Sequence, residues 1–134
     1  AQMFMGDSLK IESSYLNLKN EVDFHGSAIL TNENNVIGNI YFGFDNFYQN
    51  NIEIYGTKGS IVLKRAFTAK EDFNPKIILE NNKGVEKVEL PACNQTLKML
   101  EKFSQMVHNN LLDYNHTTTQ KQANLISQIF SDEK

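Results

Sequence analysis

Between residues 22 and 31 the sequence alternates: Val22, Phe24, Gly26, Ala28 and Leu30 fall on one side, and Asp23, His25, Ser27 and Thr31 on the other. Successive side chains of an extended chain point to opposite faces, so this period of two predicts a strand with one face buried and one accessible. Such a strand needs neighbours for its backbone groups and a second layer over its apolar face. A looser alternation predicts a preceding strand over residues 10–18, and after a polar turn at 32–35 a long aromatic strand is expected over residues 36–47. Residues 51–55 and 60–64 read as a pair of short strands around Gly56-Thr57-Lys58-Gly59, where two glycines permit the positive φ angles of a tight hairpin. A second hairpin is expected from residues 76–80 and 85–90, turning at Asn81-Asn82-Lys83-Gly84.

Pro91 closes the strand region and Asn94 is the expected N-cap of a helix. Beyond it Leu97, Leu100, Phe103, Val107 and Leu111 recur at steps of three and four, the stripe of an amphipathic helix. Thr117 to Thr119 are expected to cap a second helix, with Ala123, Ile126, Ile129 and Phe130 on its buried side. Strands followed by helices predict an α+β fold: an open, mostly antiparallel β-sheet with helices packed on one face. At 134 residues the chain has the length of a single domain.

Composition removes several function classes. With 13 Lys and Arg against 16 Asp and Glu the net charge is −3, the wrong sign for a nucleic-acid or anionic-membrane partner. The longest apolar run, Ile40 to Phe44, is far short of the roughly 20 residues of a membrane span. Cys93 is the single cysteine, so neither an internal disulfide nor a multi-cysteine zinc site is expected. No basic and apolar leader opens the chain, and the expected location is cytoplasmic. There are 17 asparagines, expected mostly in turns, caps and edges, and one arginine, Arg65.

No G-x-G-x-x-G opens a strand–helix unit, and no phosphate loop of the G-x-x-x-x-G-K-[ST] type is present. The Gly56/Gly59 pair lies between strands and lacks the helix N-terminus that cradles phosphate. His25, His108 and His116 are not at metal-ligand spacing, and no metal is expected. Cys93 reads as a small inert residue rather than a reactive thiolate, and no pair of carboxylates stands out. No catalytic, cofactor-binding or metal residue is therefore assigned. The polar and aromatic concentration lies at Tyr48-Gln49-Asn50, which reads either as a strand end packing on the sheet or as a rim suited to a sugar. Arg65 follows a strand, and its guanidinium suits a bidentate phosphate or carboxylate clamp as well as a surface ion pair.

The order of these motifs resembles a known family. Asn51-Ile52-Glu53-Ile54-Tyr55-Gly56-Thr57-Lys58-Gly59-Ser60-Ile61 is similar to a segment in the C-terminal domain of the Gfo/Idh/MocA (glucose–fructose oxidoreductase and inositol dehydrogenase) family. Glu21-Val22-Asp23-Phe24-His25-Gly26 resembles the start of a strand in the same domain. Lys64-Arg65-Ala66-Phe67-Thr68, Asn94-Gln95 and Tyr48-Gln49-Asn50 are closer to the branch of sugar-nucleotide (NDP-hexose) ketoreductases.

The resemblance implies a two-domain enzyme in which an N-terminal Rossmann domain binds NAD(P) and this chain is the C-terminal α/β domain, residues 1–134. In the whole enzyme a hydride would pass between the nicotinamide and a sugar carbon, while a lysine and a histidine outside this chain handle the proton. The family's Glu-Lys-Pro catalytic segment is not in this sequence. The chain is thus expected to be inactive alone, to bind no cofactor itself, and to contribute substrate contacts through Tyr48, Gln49, Asn50, Arg65 and His25. Ile29, Ile37 and Tyr41 on the outward sheet face point to a homo-oligomer, of which a dimer is the simplest, formed through the open sheet. The alternative is a standalone β-sheet binding or scaffold module with no enzymatic parent.

Overall fold

The computed structural model describes residues 1–109 and 116–131. Its elements are α1 (Gln2–Met5), β1 (Leu9–Lys19), β2 (Val22–Asn32), β3 (Ile37–Gly43), β4 (Asn51–Gly56), β5 (Gly59–Lys64), β6 (Lys76–Asn81), β7 (Gly84–Glu89), α2 (Gln95–His108) and α3 (His116–Ser131). All strand pairs are antiparallel, and the fold is α+β as expected. The strands divide into two sheets, of order β1-β2-β3 and β4-β5-β6-β7. The described residues form two compact units, one of residues 1–46 with α3 and one of residues 47–109.

In the first unit, β1 and β2 join through Asn20 and Glu21, both at positive φ (53° and 64°), the two-residue turn whose twist matches paired strands. The β2–β3 turn is organised by Asn32, whose Oδ1 accepts the Asn34 and Val36 N–H groups at 3.0 Å each. The alternation of β2 holds in its second half, where Gly26, Ala28 and Leu30 are buried, whereas Phe24 is only half-buried and Val22, at the strand end beside the turn, is exposed. Leu16 of β1 stands opposite Gly26 and joins Ala28 and Leu30 as the fully buried apolar set. The side chain of Met5 lies over Gly38, the position opposite Leu30 on β3, where a Cβ would meet its sulfur.

α3 packs on β1, but through only one of the residues expected. Of Ala123, Ile126, Ile129 and Phe130 only Ile129 is half-buried, and the inward row is Lys121, Leu125 and Ile129 at four-residue steps. Both ends of that row are tied to the unit: Lys121 pairs with Asp7 at 3.2 Å, and Ser14 Oγ donates to the Ile129 carbonyl at 3.3 Å. Thr117 to Thr119 lie inside the helix rather than capping it.

β3 stops at Gly43, short of the expected residue 47. The Asn46 side chain folds back over Gly43, in the space a Cβ would need, and donates to Tyr41 Oη at 3.2 Å. The other face of this sheet is open: the rung Tyr15–Ser27–Tyr41 and the flanking Ile29 and Ile37 lie on it, and all but Ser27 are exposed. β1 carries an irregularity at Glu12, which turns onto that face and accepts the Thr31 hydroxyl at 2.6 Å.

In the second unit, Ile52, Leu63, Ile77 and Val88 form one half-buried rung across all four strands. Gly59 takes φ 155°, and a Cβ there would run into the Glu80 carbonyl oxygen of β6, so the hairpin glycine also admits the neighbouring strand. Asn94 caps α2 as expected, its Oδ1 accepting the Leu97 N–H at 2.9 Å. The α2 stripe of Leu97, Leu100, Phe103 and Val107 is exposed, and Leu111 lies outside the described residues.

Candidate functional site

The most concentrated polar grouping of the second unit lies where the segment entering β4 meets the segment leaving β5. β4 and β5 are paired from Asn51↔Lys64 to Gly56↔Gly59, so the residues just before 51 and just after 64 are brought side by side. Asn50 joins them. Its carbonyl accepts the Ala66 N–H at 2.8 Å, and its Oδ1 accepts the Phe67 N–H at 3.0 Å. Its Nδ2 donates to Thr68 Oγ1 at 2.6 Å and to Tyr48 Oη at 3.1 Å. The two hydroxyls are themselves 2.6 Å apart, which closes a three-membered polar cluster.

Two of these hydrogen bonds, from Thr68 first and then Asn50, hold the Tyr48 phenol below its usual range, and the Arg65 charge adds to the effect. Arg65 has a left-handed backbone, φ 55°, a conformation that side chains other than glycine seldom adopt. Its guanidinium carbon lies over the Phe73 ring, 5.2 Å from the ring centroid. Among the described residues the Arg65 side chain makes no hydrogen bond or salt bridge. An open depression beside Thr68 is lined by residues 68–72 and 94–96, with Glu71 held by the Asn94 amide at 2.7 Å.

Of the five residues expected to meet a substrate, the structure thus brings Tyr48, Asn50 and Arg65 to one end of the β4–β5 hairpin. Gln49 is exposed and makes no hydrogen bond among the described residues. His25 belongs to the other unit, on the open face of its sheet, with its ring 6.4 Å from that of Tyr15. Thr68 and Phe73 were not expected. Thr68 sits in the same short stretch as Arg65, but nothing in the order of residues marks its hydroxyl as the partner of Tyr48. No group of three or more metal-ligating side chains occurs among the described residues, and no described helix is long and apolar enough to cross a membrane.

No family model matches the chain. It is similar to dTDP-3,4-didehydro-2,6-dideoxy-α-D-glucose 3-reductases. The enzyme of Actinomadura kijaniata is 30% identical over 109 residues, covering 80% of this chain and 33% of that protein. The enzyme of Saccharopolyspora spinosa is 32% identical over 92 residues, covering 69% and 28%. That of Streptomyces antibioticus is 25% identical over 132 residues, covering 96% and 40%. Among solved structures, the chain is similar to KijD10, a 3-ketoreductase from A. kijaniata in complex with NADP and TDP-benzene: 26% identity, 98% of this chain, 41% of that chain and a TM-score of 0.91. The chain therefore spans about a third of the length of the curated relatives it matches.

Proposed function

We propose that this chain is the C-terminal domain of a two-domain, NADP-dependent dTDP-sugar 3-ketoreductase of the Gfo/Idh/MocA type, active in the cytoplasm. Its role would be to bind the sugar nucleotide and assemble the oligomer, and it would not be catalytic alone. The observation that carries this reading is the likeness to KijD10 across 98% of the chain at a TM-score of 0.91. The three curated 3-reductases, each matched over about a third of its length, support the two-domain arrangement.

In this reading the nicotinamide and the groups that move the proton lie on the remainder of the enzyme. Tyr48, Asn50 and Arg65, with Gln49 beside them, serve the substrate. The row of exposed Tyr15, Ile29, Ile37 and Tyr41 supports a role for the open sheet face in forming a homo-oligomer.

The test is a thermal-shift and calorimetric titration of the 134-residue chain. A dTDP-sugar is expected to raise the melting temperature, and NADPH to leave it unchanged. Stabilisation by NADPH, or none by any dTDP-sugar, would count against the proposal and favour a standalone binding module.

A further inference from the structure

Asn50 ties the segment before β4 to the segment after β5. Its amide Nδ2 donates to both Tyr48 Oη and Thr68 Oγ1, two acceptors on the same side of the nitrogen. Its Oδ1 is occupied by the Phe67 N–H. The two hydroxyls carry one hydrogen each, and only one of these can lie between them in their 2.6 Å contact. Whichever hydroxyl donates, one hydrogen remains outside that contact. Tyr48 and Thr68 are both exposed, so that hydrogen is open to an acceptor from solution.

Arg65 has the complementary character. It is the single arginine of the chain, and its guanidinium rests on Phe73 without a carboxylate partner among the described residues. A guanidinium carries five N–H donors, and a cation–π contact with a ring leaves donors for other acceptors. Its backbone is held in the left-handed region next to the two N–H groups that Asn50 fixes, those of Ala66 and Phe67. Such a conformation at a non-glycine residue, kept by surrounding hydrogen bonds, is characteristic of functional positions.

We propose that Arg65 and the remaining hydroxyl hydrogen of the Tyr48–Thr68 pair form a seat for a phosphate-type oxyanion, in which Asn50 and Phe73 are positioning residues. Asn50 orients the hydroxyls and the segment after Arg65, and Phe73 holds the guanidinium. Assigning the oxyanion to the diphosphate of a sugar nucleotide rests on the proposed function; the seat itself does not.

The experiment is a calorimetric titration of the 134-residue chain with inorganic diphosphate, dTDP and thymidine, with succinate as a carboxylate control. Diphosphate and dTDP are expected to bind, and thymidine and succinate to bind much more weakly. Arg65→Met should weaken diphosphate about tenfold or more, since it removes charge-assisted hydrogen bonds. Phe73→Leu should weaken it about threefold while Phe73→Tyr retains parent affinity, a pattern that follows the aromatic face rather than side-chain bulk. Circular dichroism of each variant establishes that it is folded.

Diphosphate binding that is absent in the parent, or unchanged in folded Arg65→Met, overturns the seat. Tight dTDP binding that survives Arg65→Met overturns the seat while leaving the proposed function standing. Arg65-dependent diphosphate binding with no added affinity for dTDP supports the seat and counts against the sugar-nucleotide reading.

Discussion

Asn50 Oδ1 accepts the backbone N–H of Phe67 at 3.0 Å, a bond across 17 residues. With the 2.8 Å bond from the Ala66 N–H to the Asn50 carbonyl, it fixes the chain immediately after the left-handed turn at Arg65. A side chain thus replaces the ladder bonds that end with β4 and β5, and the backbone leaves the sheet in a defined direction.

The left-handed turn can be tested directly. A non-glycine residue with φ near 55° carries a steric cost of about 1 kcal/mol, which glycine avoids. Arg65→Gly is expected to be more stable than Arg65→Ala by about that amount in urea unfolding. Equal stability, or a more stable alanine variant, would show that this turn is not maintained in solution.

The core of the first unit rests on few side chains. Among the described residues Leu30 is the most enclosed apolar side chain, at 2% exposure, and Leu30→Ala is expected to cost about 3 kcal/mol. Gly26→Ala should also destabilise, by about 1–3 kcal/mol, because its Cβ would lie 2.6 Å from Leu16 Cδ2 and 2.8 Å from the Tyr15 carbonyl oxygen. Hydrogen exchange of the β2 amides would report both changes, and wild-type protection in both variants would contradict this packing.

Two exposed carboxylates link stability to acid. The Thr31 hydroxyl, and then Lys10, lower the Glu12 pKa, and the Asn74 amide, and then Lys76, lower that of Glu89. A depressed folded-state pKa contributes stability that is present above the ordinary carboxyl value near 4.5 and is lost as pH falls through the folded-state value. Thr31→Val and Asn74→Ala should each move the partner carboxyl upward in an NMR titration and flatten the acid limb of the stability curve. Carboxyl titrations that do not move in either variant would remove these bonds as the cause.

Much of the local structure was legible in the sequence. The alternation along residues 22–31 identified the buried face of β2, and the glycines at 56, 59 and 84 marked the two hairpins of the second unit. Asn94 marked the start of α2. Each of these depends on residues within a few positions of one another, where backbone sterics and capping act directly. The inward row of α3 was legible only at Ile129, because Ile126 and Phe130 are as apolar as Leu125. Only the contacts with β1 and Asp7 select which row turns inward.

The sequence by itself determined the class of fold, the positions of the strands and turns except the end of β3, and the prominence of Tyr48, Asn50 and Arg65. Tertiary structure alone decided that the strands form two sheets and that Asn50 serves Tyr48 and Thr68 rather than facing outward. It also decided that Phe73 lies under the single arginine. The physical reason is that a period of two tells a strand which face to bury but not which strand to pair with. Hydrogen bonds between residues 17 and 18 positions apart exist only once the β4–β5 register has brought them together.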